Sequence, residues 1–139
     1  MKNKKKAYID TYESIYPVIL VVANSAVKIE QLRKLYCEYD GTELYDDDMT
    51  VHAGMVIKAI RKSDDRAVIL VRMAEEDKYY KDKNERRMEF LSTIAHEAGH
   101  VVLDIYQRIS EKNCTDSQEP FCYTLEWVFK CIYKTCFKK

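Results

Sequence analysis

An α+β fold is predicted for this chain of 139 residues, on three observations. Short β-rich apolar runs occupy its first half, helical periodicity takes over from about residue 86, and the elements follow one another as strand, helix, two strands, helix, helix. The expected sheet is small, mixed or antiparallel, with about three strands, packed on the two later helices. A chain of this length forms one domain with a core of its own. Hydrophobic residues make up 47% and charged residues 33%, a globular balance.

Residues 1–14, which include the lysine run at Lys2–Lys6, are expected to be a flexible or partly ordered segment. "YPVILVV" (Tyr16–Val22) is a continuous apolar run of the kind a buried strand needs, with Pro17 at its start. Ser25 can cap the helix that follows, whose apolar face carries Ile29, Leu32, Leu35 and Tyr36. The acids around Gly41 lack the spacing of a calcium loop and read as a solvated turn. "MVIKAI" (Met55–Ile60) and "AVILVRM" (Ala67–Met73), separated by "RKSDDR", predict a hairpin. The mixed-charge stretch after it is expected to be surface loop or a frayed helix start. From Arg86 to Ile109, Met88, Leu91, Ile94, Ala95, Val101, Val102 and Ile105 recur at helix spacing. After the polar turn "SEKNCTDSQ", a last helix starts near Gln118 and carries Phe121, Leu125, Val128, Phe129 and Ile132.

Charge narrows the function. With 23 basic and 23 acidic residues the formal net charge is zero, so no global field draws in nucleic acid or an anionic membrane. The basic ends read as solvated tails. Nothing approaches the ~20 apolar residues of a membrane span, and Asp10 and Glu13 interrupt any leader-like pattern. Five cysteines, Cys37, Cys114, Cys122, Cys131 and Cys136, show no C-x-x-C spacing. They are expected as free thiols in a reducing, cytoplasmic setting.

One stretch carries chemistry. "TIAHEAGHVV" (Thr93–Val102) places His96 and His100 four apart on the long predicted helix, so both imidazoles leave one face. Two such nitrogens can close on one Zn²⁺ at ~2.0–2.1 Å each. Glu97, between them, is placed to take a proton from zinc-bound water as a general base. Ala98 and Gly99 are small enough to let another element approach behind the site. A bare H-E-x-x-H also arises by chance in buried helices, so a third ligand matters. Glu119 follows His100 with 18 residues between, in the first turn of the last helix, with Asp116 or Ser117 as cap and Pro120 tolerated there. Two antiparallel helices would bring its carboxylate over the pair.

H-E-x-x-H, then 18 residues, then Glu, resembles the gluzincin branch of zinc metallopeptidases, the thermolysin-like group, from His96 to about Trp127. "STIAHEAGHVV…DSQEPFCYTLEW" also resembles small proteins of phages and their bacterial hosts. The gluzincin resemblance implies a zincin-like fold in minimal form, with the sheet over an active-site helix and a ligand-bearing helix after it. It implies one Zn²⁺ held by His96, His100 and Glu119, with Glu97 as base. Asp104, one turn after His100, is a candidate to orient a ligand histidine. The group often carries an acid one turn after the ligand glutamate, and this chain departs from that with Tyr123; the expected substitutes are Glu126 in that supporting role or, alternatively, Tyr123 as a donor to a developing oxyanion. His52 is the remaining histidine. "AVILVRM" is a candidate strand for pairing with an extended peptide. The expected function is a zinc-dependent metallopeptidase acting on a peptide or protein. The alternatives are a silent zinc-holding binding or regulatory protein, and a helical core without metal.

Overall fold

In the computed structural model, residues 4–46, 53–109 and 118–139 are described; His52, Cys114, Asp116 and Ser117 lie outside them. The α+β class stands, but the three-stranded sheet does not: five strands form one mixed sheet in the order β1-β2-β5-β4-β3. The strands are β1 (Ile9–Glu13), β2 (Ile19–Ala23), β3 (Tyr36–Cys37), β4 (Gly54–Arg61) and β5 (Arg66–Met73), and the helices are α1 (Ile29–Leu35), α2 (Lys83–Arg108) and α3 (Glu119–Cys136).

Both unforeseen strands are weak in local signal. β1 is an edge strand of mixed polarity that pairs antiparallel with β2, Thr11 opposite Val21, and charges on an edge strand discourage further pairing. β3 is two residues long; it pairs Tyr36 with Arg61 and Cys37 with Ile60 of β4, and Cys37 also bridges Glu43. β2 and β5 run parallel at the centre. Every residue of β2 is buried, because the sheet is covered on both faces, which is why the run has no alternation.

On one face Leu20, Val22, Ile69, Val71 and Met73 meet α2 and α3 through Ile94, Val101, Ile105, Val128 and Ile132. On the other, Ile19, Val21, Val68 and Leu70 meet Ile29, Leu32 and Leu44. The expected hairpin forms as β4 and β5, from Gly54 opposite Met73 to Arg61 opposite Arg66. Its turn carries Asp65 at φ 56 and the Arg61–Asp64 ion pair at 2.7 Å.

Asp82 starts α2 by accepting the Glu85 backbone N–H at 2.9 Å. α2 and α3 pack antiparallel: Phe90 meets Phe137 at one end and Tyr106 meets Phe121 at the other. Ser25 does not cap α1. Lys28 stands at the N-cap, and Asn24 organises the turn before it, accepting the Tyr8 and Ala26 backbone N–H groups at 3.2 Å each. Leu35, expected on the apolar face, is 46% exposed. Among the described residues, no helix is long and apolar enough to cross a membrane.

Candidate functional site

His96 and His100 leave α2 on the flank that overhangs β4. Their Nε2 atoms are 3.2 Å apart, with ring centroids 4.8 Å apart and planes at 77°. Two nitrogens at about 2.0–2.1 Å from one tetrahedral ion stand about 3.3–3.4 Å from each other. The pair therefore already has the spacing of two ligands to one Zn²⁺. The same distance also suits an N–H···N hydrogen bond between neutral rings. Both histidines are exposed, whereas Glu97 between them is turned toward the sheet and only 6% exposed.

The three residues line an open groove of about 750 Å³, together with Gly54 to Lys58 of β4, Glu38, Tyr45 and Asp104. Gly54 meets Glu97 directly. A Cβ placed on Gly54 would stand 2.8 Å from Glu97 Cγ, 3.1 Å from Glu97 Cδ and 3.2 Å from Met73 Sδ. Along the groove, β4 presents its outer edge. On β4, β3 reaches only Ile60 and Arg61, so among the described residues no strand pairs with that edge from Gly54 to Ala59. Outside the groove, Arg108 at the end of α2 donates from Nη2 to Tyr39 Oη at 2.7 Å and to the Val68 carbonyl at 3.2 Å.

Of the remaining expected site residues, the structure brings only Asp104 to this groove. It sits one turn beyond His100, and its nearest charged partner is Lys58, at 3.6 Å. Lys58 in turn donates to Gln107 at 3.1 Å. Asp104 is thus held by the strand rather than shown supporting a histidine.

Glu119 is not with the pair. Phe121 packs on Tyr106, so the first turn of α3 lies level with the end of α2, about 9–12 Å along the axis from His100 at 1.5 Å per residue. α3 also lies on the opposite flank, over β1 and β2, where Thr135 bonds Tyr12 and Asp10. Among the described residues no group of three or more His, Cys, Asp or Glu side chains is placed to hold a metal ion. Tyr123 is 66% exposed on α3 and lines a separate hollow with Ile15, Tyr16, Pro120 and Trp127. Glu126 pairs with Lys130 at 3.0 Å on the surface of α3. Gly99 has no neighbour behind it, since a Cβ there would meet nothing within 4 Å. β5 cannot take a peptide, because β2 and β4 occupy both its edges.

Sequence reasoning missed Gly54, Lys58, Glu38 and Tyr45 as groove residues. One signal was available: Gly54 is one of only three glycines and opens a strand run.

No known protein family, no curated protein and no solved structure matches this chain. The gluzincin resemblance is therefore corrected. Among the described residues its expected three-ligand metal group does not form, the sheet has five strands where about three were expected, and neither it nor the likeness to phage and host proteins is supported by any match.

Proposed function

We propose that the chain is a zinc-dependent hydrolase acting on polypeptide, with His96 and His100 as protein ligands and Glu97 as the general base. The observation that carries this reading is the 3.2 Å approach of the two Nε2 atoms beside a buried carboxylate, in a groove walled by a strand edge. A bound Zn²⁺ would supply Lewis-acid polarisation of the scissile carbonyl and lower the pKa of the attacking water. The chain supplies the rest. The Glu97 carboxylate takes the proton of the attacking water and delivers it to the leaving amine, a step worth roughly 10²–10⁴-fold in rate. The outer edge of β4 offers backbone N–H and C=O groups at which an extended substrate can add as a strand.

Two measurements test the reading. Metal analysis of the purified protein should give about one zinc per chain. Glu97→Gln should keep that zinc and lose at least a hundredfold in cleavage of a broad peptide library. Cleavage unchanged in Glu97→Gln would remove the assigned base. Stoichiometric zinc without cleavage by the wild type would make the chain a zinc-holding binding protein.

A further inference from the structure

The three glycines differ in what they are for. Gly41 sits at φ 84 in a turn, a conformation that favours glycine. Gly99 has open space where a side chain would go. Gly54 has neither feature. Its backbone is not in the left-handed region, so its conformation is open to any residue, yet the place of its Cβ is filled by Glu97.

We infer that Gly54 is a positioning residue for Glu97: the side chain it lacks is the berth in which the glutamate lies. The atoms in that berth are Cγ and Cδ, the middle of the Glu97 chain and the carbon that bears both carboxylate oxygens. A methyl group at 2.8 Å from Cγ cannot be avoided by swinging a far end aside. The χ angles must leave their wells or the carboxylate must move. Met73, whose Sδ would itself stand 3.2 Å from that Cβ and which is 2% exposed, crowds the same space. The three atoms nearest that Cβ belong to Glu97 and Met73 and none to a histidine ring, so the spacing of the pair is expected to survive the change. Gly54→Ala thus displaces the carboxylate and spares the ligands. The catalytic side of this inference rests on the hydrolase reading above, whereas the contact itself does not.

The test is a thermal cycle of wild type, Gly54→Ala, Glu97→Ala and the double variant, with kcat and KM of the first two on a cleaved peptide. Gly54→Ala should lower Tm by about 3–10 °C in the presence of Glu97. In the Glu97→Ala background the same change should be neutral, or raise Tm by about 1–3 °C as alanine replaces glycine in a strand. Zinc content should not change. kcat should fall roughly a hundredfold with KM little altered, as expected of a reacting group displaced by about 1 Å; a purely structural role would move Tm alone. Equal Tm changes in both backgrounds would overturn the contact, and kcat retained within about twofold would overturn its part in the reaction. A wild-type protein that cleaves nothing removes the hydrolase reading, while the thermal cycle still decides whether Gly54 seats Glu97.

Discussion

Zinc added to the chelator-stripped protein should raise its melting temperature through His96 and His100, and by a calculable amount. A ligand that binds only the native state stabilises it by about 2.7 kcal/mol at a free concentration one hundred times its dissociation constant. Unfolding entropy near the transition is about 2.1 cal/mol/K per residue, or about 0.29 kcal/mol per degree over 139 residues. The wild type should therefore gain about 9 °C. His96→Ala and His100→Ala each remove one of the two nitrogens that stand 3.2 Å apart, and each should lose most of that gain at the same free zinc. Glu119→Gln should keep it, because α3 lies on the other flank of α2. Differential scanning calorimetry at buffered free zinc, with a chelator control, reads all four proteins. Either of two results refutes the reasoning: no rise in the wild type, or a rise in His100→Ala equal to the wild type's. The pair would then be only an N–H···N hydrogen bond, worth about 1 kcal/mol. A Glu119→Gln variant that loses the gain would instead mean that the flank assignment is wrong.

Three further outcomes are expected. Thr135 is fully buried; it donates to Asp10 Oδ2 at 2.9 Å and lies 2.8 Å from the Tyr12 hydroxyl. Thr135→Val should therefore cost about 1–3 kcal/mol, or about 3–10 °C in Tm, and a loss under about 2 °C would show that this tie between α3 and β1 contributes little. Cys122 is exposed while Cys131 and Cys136 are buried, and burial raises both buried thiols to about 11. Iodoacetamide at neutral pH should accordingly label Cys122 well before either, as peptide mass mapping would reveal. The same two thiols make stability fall in alkali. From their ordinary 9.0 up through about 11 the denatured chain sheds protons that the native chain keeps, so urea midpoints should drop across that window and hold steady just below it.

Much of the fold could be read from local pattern, and the reasons for the misreadings are physical. The long run before α1, the hairpin and both long helices each carry their signal within one segment: unbroken apolar residues, turn chemistry, or a 3.6-residue period. β1 and β3 do not. "IDTYE" and "YC" are strands only because β2 and β4 offer them an edge to pair with, and nothing within five or two residues announces a neighbour. The site divides along the same line. His96, Glu97 and His100 share one helix, so their mutual geometry follows from spacing alone. Glu119 belongs to another helix, and its reach depends on which flank of α2 that helix takes. A spacing of 18 residues is compatible with either flank, so the number cannot choose between them. The choice is made by burial. Val128 and Ile132 of α3 are fully buried against the central strands, and that commits α3 to β1 and β2 and leaves the histidine flank to β4. There the neighbour of Glu97 is a strand with no side chain at the point of contact, a relation between residues 43 positions apart that no local motif encodes.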